Sequence, residues 1–225
     1  MVGPGTWAIG EVDVSGLAFG GGEGEGSRVR RALDLLPILE TDRLLLTIPD
    51  IDAAPRLLTY ATENEAHLAP FEPSRPKDFF SLSFWRRRIE VHRDEFLRDR
   101  SMRLVILRRD DPYGPVVGHC NYSNFIRGAF QACYLGYSLD HRHQGQGVMR
   151  EAIAGSLSYV FGALRLHRVM ANYLPTNERS GRLLARLGFV VEGYARNYLF
   201  INGAYRDHVL TALTSPDPSP PDAAR

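Results

Sequence analysis

The sequence predicts an α/β (α+β) fold, a mixed central sheet with helices packed on it. Three observations carry this. Apolar runs of strand length alternate with amphipathic helical patterns. In the middle, a strand over 132–139, a helix over 148–161 and a strand over 168–173 make the strand–helix–strand unit that parallel neighbours require. At the end, two strand-like runs flank Asn202-Gly203, a dipeptide of tight hairpin turns.

The elements follow in order. Residues 43–48 are a short apolar run stopped by Pro49, hence a strand. Asp50 is the expected N-cap of a helix from Ile51 to about Glu63. Residues 79–99 set Phe80, Phe84, Ile89 and Phe96 among arginines and acids, as an amphipathic helix does. A strand over 104–107 and a turn at 110–114 lead to a strand over 116–125, and Gly128 marks the next turn. After the central unit, a helix over 180–187 ends at Gly188, where a left-handed C-cap is expected. Strands over 190–200 and 205–213 close the order, and there is no internal repeat.

The domain is expected to span 39–214. Residues 1–30 read as a tail, because residues 19–27 are rich in glycine and glutamate and too polar to pack. The proline-rich run at 215–221 opens a second tail reaching 225.

The 225 residues, 44% hydrophobic and 24% charged, suit one globular domain able to bury a core without staples. A net charge of +1 gives no overall pull toward nucleic acid or membrane, so neither DNA nor a membrane is expected as a partner. Lys77 is the single lysine among 27 basic residues, which excludes Schiff-base chemistry elsewhere in the chain. Cys120 and Cys133 are isolated, which argues against a disulfide scaffold and a zinc site and fits a reduced, cytoplasmic setting. His141 and His143 offer two ligands without an acidic partner, too few for a metal. Arg86, Arg87, Arg88, Arg93, Arg98, Arg100, Arg103, Arg108 and Arg109 make the middle basic. This stretch either steers the protein to RNA or to the phosphates of a ligand, or is a solvated face laced to Glu90, Asp94 and Glu95.

The sharpest local signal is Arg142-His143-Gln144-Gly145-Gln146-Gly147, directly after a strand and before a helix. Two glycines permit tight turning and close approach, and a helix start offers free N–H groups and a positive dipole end to an anion. A pyrophosphate fits; so does a plain strand-to-helix turn. Arg142 and His143 either add charge there or face solvent. No Gly-Lys-Ser/Thr follows, so this is no Walker loop, and the dinucleotide fingerprint lacks its third glycine.

The Arg142-x-x-Gly145-x-Gly147 spacing, followed by Asn177-x-x-Ser180 and Gly188-Phe189, resembles the two motifs of the GNAT superfamily of N-acetyltransferases. Residues 124–137, 167–173 and 205–214 are similar to its RimJ branch, the ribosomal-protein-alanine N-acetyltransferases, and the likeness runs from about 39 to 214. The resemblance implies the GNAT fold, with splayed middle strands and flanking helices. It implies acetyl-CoA as co-substrate and no metal. The donor would lie between the strands ending near Leu139 and Tyr173, with backbone near Tyr137, Ser138 and Leu139 serving the pantetheine arm and a bulge at Gly136. Its pyrophosphate would rest on the amides of Gln144, Gly145, Gln146, Gly147, Val148 and Met149, with Asn177 and Ser180 facing the thioester. The implied partner is a protein N-terminus, a ribosomal protein beginning with alanine; a small amine such as a polyamine or antibiotic, or a non-catalytic acetyl-CoA- or ribosome-binding role, are the alternatives.

Amine attack on a thioester needs a neutral amine and a protonated leaving thiol. An α-amino group, with a pKa of about 7.7–8.0, is already partly neutral near neutral pH, so a carboxylate acting through water suffices. Glu192 is the candidate base, or else a surface carboxylate paired with Arg196. Ser180 is the candidate acid, or else an N-cap of its helix, with Tyr173 and Tyr198 in reserve. Asn172, disfavoured in mid-strand, either binds the donor or makes a buried hydrogen bond, and Asn177 is a ligand or a turn former. Phe71, Glu72, Asn124, Phe125 and Tyr198 are candidate acceptor contacts, and Phe71 is alternatively a core plug. Removing residues up to about 30 is expected to leave activity and solubility intact, checked by comparing the truncated and full-length proteins.

Overall fold

The structure is a computed structural model and describes residues 36–216. The tail expected over 1–30, and the second tail beyond 216, lie outside the described residues. Eight strands form one sheet: β1 (Ile38–Glu40), β2 (Leu44–Thr47), β3 (Met102–Arg108), β4 (Gly118–Ile126), β5 (Ala132–Leu139), β6 (Arg168–Tyr173), β7 (Val190–Ile201) and β8 (Ala204–Thr214). Their order is β1-β2-β3-β4-β5-β6-β8-β7. Among the described residues β5 and β6 are the one parallel pair, as the strand–helix–strand reading requires.

The helices are α1 (Ala54–Glu63), α2 (Glu65–Leu68), α3 (Leu82–Leu97), α4 (Val148–Gly162) and α5 (Glu178–Arg186). They cover both faces. On one, Ala152, Ile153, Leu157 and Val160 of α4 and Leu184 of α5 pack against Leu46, Leu104, Ile106, Cys133 and Val169 of the strands. On the other, Leu57 and Tyr60 of α1 and Ile89 of α3 meet Val105 and Leu107. The alternation of side chains along each strand sends successive residues to the two layers.

Most expected elements appear, with differences at their ends. The helix expected from Ile51 opens as a 3-10 turn over Ile51–Ala53, with Asp50 accepting from the Ile51 amide. Pro55 then sits in the first turn of α1, where its missing N–H is not needed. α3 begins at Leu82 rather than 79, because the Ser81 hydroxyl accepts from the Phe84 amide at 3.1 Å. Phe79 and Phe80 precede the helix, and the Phe79 ring packs against both Phe80 and Phe84 under the Arg75 guanidinium. β1 and α2 went unforeseen: three and four residues are too short to show a period. The closing hairpin turns on Asn202 and Gly203, at φ 47° and 78°.

The basic middle is largely neutralised. Arg87 pairs with Asp78, Arg93 with Asp50, Arg98 with Asp94, Arg103 with Glu95, Arg108 with Asp110 and Arg109 with Glu40. Among the described residues no helix is long and apolar enough to cross a membrane. Cys120 and Cys133 are buried and free, and burial pushes both thiols up to about 12. The Tyr122 hydroxyl, also buried, lies 2.8 Å from that of Ser156 on α4.

Ile153 is fully buried between α4 and the sheet. Ile153→Ala is expected to cost about 2–5 kcal/mol. In urea denaturation the midpoint should fall while the slope stays constant.

Candidate active site

β5 and β6 pair at three positions only: Ala132 with Arg168, Cys133 with Val169 and Tyr134 with Met170. Beyond Tyr134 they part. β5 continues on β4 as far as Leu139, and β6 continues on β8 as far as Tyr173. The sheet therefore forks between two strands that each stay paired on the outer side beyond the last parallel pair. The bulge expected at Gly136 is absent, since Gly136 pairs in register with Asn121. The register shift lies across from it in sequence, between Ser123 and Ile126 of β4, where Asn124 takes φ 54°. Gly136 instead leaves space: a Cβ built on it meets no atom within 4 Å.

The glycine loop stands at the mouth of this fork. A 3-10 turn over His141–His143 follows β5, and α4 starts after Gly147. Gly145 and Gly147 have φ 75° and 77°, values that a side chain opposes. The first helical hydrogen bond runs from the Glu151 amide to the Gly147 carbonyl. The amides of Val148, Met149 and Arg150 thus have no partner within the helix. The Val148 and Met149 side chains are buried below, so the backbone alone faces outward. This cradle suits an anion of pyrophosphate size.

What holds the loop escaped the sequence reading. Asp140 is almost wholly buried and accepts from the Arg142 amide at 2.8 Å, from Arg142 Nε at 2.9 Å and from Asn64 Nδ2 at 3.2 Å. Asn64, also buried, takes the His141 amide on its Oδ1 at 3.0 Å. Burial alone would raise the Asp140 pKa. The Arg142 guanidinium and amide and the Asn64 amide more than offset it, and the carboxyl is held well below the usual range. Arg142 is consumed here: its guanidinium bonds Asp140 and Glu63, both at 2.6 Å. The expectation that it adds charge to the cradle is corrected by that engagement. His143 keeps a sheltered Nδ1 without a hydrogen-bond partner.

Across the mouth, the Tyr137 hydroxyl of β5 lies 2.6 Å from the Ser180 hydroxyl of α5. Ser180 is not the N-cap of its helix. Asn177 is, its Oδ1 accepting from the Ser180 amide at 3.1 Å, which leaves the serine hydroxyl for the fork. Burial pushes the Tyr137 phenol up to about 12, so it stays a proton-bearing group. Tyr173 reaches the same helix. A Cβ on Gly181 would come within 2.9 Å of its ring, so the glycine is what admits the tyrosine.

The residues matched by the family described as "Acetyltransferase (GNAT) domain" are 43–190, which contain the fork, the loop and the Asn177–Ser180 turn. The chain belongs to the GNAT acetyltransferase family. It is 43% identical over 182 residues to the ribosomal protein uS5-alanine N-acetyltransferase of Escherichia coli (strain K12), covering 81% of this chain and 93% of that one. The ribosomal-protein-S5-alanine acetyltransferase structure from Vibrio fischeri has TM-score 0.77 and 36% identity, covering 82% of this chain and all of that one. Mycobacterium smegmatis RimJ, in complex with CoA-disulfide, has TM-score 0.72 and 28% identity, covering 80% of this chain and 87% of that one.

Other sequence-predicted residues of this GNAT domain are dispersed. Asn172 donates to the Tyr198 hydroxyl at 3.2 Å, so the two side chains belong to one hydrogen-bonded group. Burial, then Tyr134, raises the Tyr198 phenol. Glu192 is bonded to Arg168, at the closed end of the fork, and not to Arg196. Its carboxylate is therefore held in an ion pair rather than free. Ser138 turns its hydroxyl to Tyr60 at 2.9 Å, and Leu139 packs on the core, leaving their backbone for the fork. Gln144 ties the loop to both flanks, through His67 Nε2 at 2.7 Å and through Arg179. Phe71 is exposed rather than a core plug, while Glu72 pairs with Arg75 at 2.6 Å. Asn124 and Phe125 sit at the closed end, and Phe125 packs against the core. Among the described residues no cluster of His, Cys, Asp or Glu could hold a metal.

The Asp140 carboxyl has a folded pKa below its unfolded value of about 3.9, so its contribution is complete above that pH and fades as the pH falls below it. Asp140→Asn is expected to cost about 2 kcal/mol at neutral pH, the scale of hydrogen bonds to a buried charge. The gap between variant and wild type should narrow in acid-unfolding series below about pH 4. A gap independent of pH would remove the carboxylate's charge from the explanation.

Proposed function

We propose that the chain transfers the acetyl group of acetyl-CoA to the N-terminal α-amino group of a ribosomal protein, with alanine as its first residue. The observation that carries this is the pairing of an anion cradle with the Tyr137–Ser180 contact at one fork mouth. Supporting the acceptor choice is the 43% identity to an enzyme named for uS5-alanine acetylation. A ribosomal acceptor also fits a cytoplasmic protein. Within this reading, contact with the ribosome falls to Arg86 and Arg100, arginines of the basic middle for which no ion pair is found among the described residues, whereas Arg88 shares Glu95 with Arg103.

The chemistry follows from the side chains. The donor's pyrophosphate rests on the free amides at the start of α4, and its arm runs into the fork. The amine nitrogen bonds to the thioester carbon, the carbon–sulfur bond breaks, and the amine loses a proton. Near neutral pH an α-amine is already partly neutral, so deprotonation passes to solvent at the cleft and Glu192 keeps its bond to Arg168. The departing thiolate takes a proton from Ser180 through its contact with the Tyr137 hydroxyl, and the proton that the amine gave to solvent returns to the hydroxyl pair, so both side chains end the cycle protonated. Asn177 positions Ser180 by holding its amide.

Mixing the protein with acetyl-CoA and peptides beginning Ala, Ser, Met or Gly, with an N-blocked lysine peptide and spermidine as controls, tests the reading. Acetylation of the alanine peptide, by mass, with the controls unmodified, is expected. Acetylated spermidine with unmodified peptides would replace it by small-amine transfer. Ser180→Ala should lower kcat by about 10²-fold, the range of a lost general acid, with little change in the acetyl-CoA KM.

A further inference from the structure

The phosphate cradle contains a charge of the wrong sign. Glu151 lies in the first turn of α4, the same turn whose amides face outward. An acid there is ordinarily favourable to the helix. Next to a bound pyrophosphate it is repulsive, because like charges a few ångströms apart oppose one another strongly at a partly shielded site.

The β1–β2 turn answers this charge from more than a hundred residues away in sequence. Arg43 Nε and NH2 both reach Glu151 Oε2 at 2.6 Å, and the Arg43 amide reaches Oε1 at 2.8 Å. The Thr41 hydroxyl donates to the same Oε1 at 2.6 Å. The remaining Arg43 nitrogen, NH1, donates to the Gln146 carbonyl at 3.1 Å. A Cβ on Gly147 would stand 3.6 Å from Arg43 NH2, so the guanidinium lies against the cradle itself. Arg142, the arginine inside the loop, is spent on Asp140 and Glu63.

We propose that Arg43 is the positioning residue of the phosphate cradle: it cancels the charge of Glu151 and holds the Gln146 carbonyl aside, so that the α4 amides meet the donor's pyrophosphate unopposed. This rests on the acetyl-CoA reading above. Burial would raise the Glu151 carboxyl, but Thr41 and Arg43 hold it low, so it is ionised wherever the enzyme works. Arg43 touches neither thioester nor amine, and its loss acts on donor binding alone.

The test compares wild type, Arg43→Gln, Glu151→Gln and the double variant with two donors, acetyl-CoA and acetyl-pantetheine, which lacks the pyrophosphate. Arg43→Gln should raise the acetyl-CoA KM about tenfold at unchanged kcat, and leave kcat/KM for acetyl-pantetheine as in wild type. Glu151→Gln, which frees a guanidinium beside the cradle, should bind acetyl-CoA at least as tightly as wild type, and the double variant should recover most of the loss. Equal losses in Arg43→Gln and the double variant, or a parallel loss with both donors, would overturn the proposal. So would a weakened Glu151→Gln, which also decides the matter should Arg43→Gln fail to fold. Wild type that binds no acetyl-CoA in calorimetry would instead sink the functional reading on which the proposal rests.

Discussion

Two parallel strands that stop pairing after three residues set the terms for the rest of the molecule. Backbone N–H and C=O groups must be satisfied, so a sheet cannot open in its middle unless each lip is held from behind. β4 holds β5 from Tyr134 to Leu139 and β8 holds β6 from Arg168 to Tyr173, past the last parallel pair. The parting can therefore persist as a feature of the folded chain. A parallel pair also obliges the chain to cross over through a helix, and the crossover brings the α4 N-terminus to the point of divergence. Cradle and fork are consequences of one topological choice.

The surroundings of the cradle show how charge is managed at such a place. Asp140, Glu63 and Glu151 all crowd the glycine loop, and each is met by a guanidinium: Arg142 for the first two, Arg43 for the third. None of the three acids is left free to oppose an anion. In the proposed reading the backbone amides would carry the attraction and the arginines would remove the objections. Such a division lets the loop hold its shape before any ligand arrives, which lowers the ordering cost of binding.

The sequence disclosed what is periodic or local. β5 and β6 were read to the residue, since each is an apolar run between clear turn signals. The glycine loop and the Asn177–Ser180 turn were legible because their shape depends on adjacent residues. Tertiary partners were not. Nothing near Asp140 in sequence points to Asn64, and nothing near Glu151 points to Thr41 or Arg43; these meet only through the fold. Glu192 was chosen on strand alternation, which names a face but not the guanidinium waiting there. Ser180 was weighed as a cap, and the capping role went to Asn177 one turn earlier, which one hydrogen bond decides.

The two cysteines have a bearing on the bench. Both lie in the core, with thiols too basic and too enclosed to be attacked, and Cys120 rests against the Met149 sulfur at 3.8 Å. The sequence holds no others. The folded protein is therefore silent toward thiol-detecting dyes. A colour that develops during turnover counts liberated CoA, free of background from the catalyst, and a sudden rise in protein-derived thiol reports unfolding.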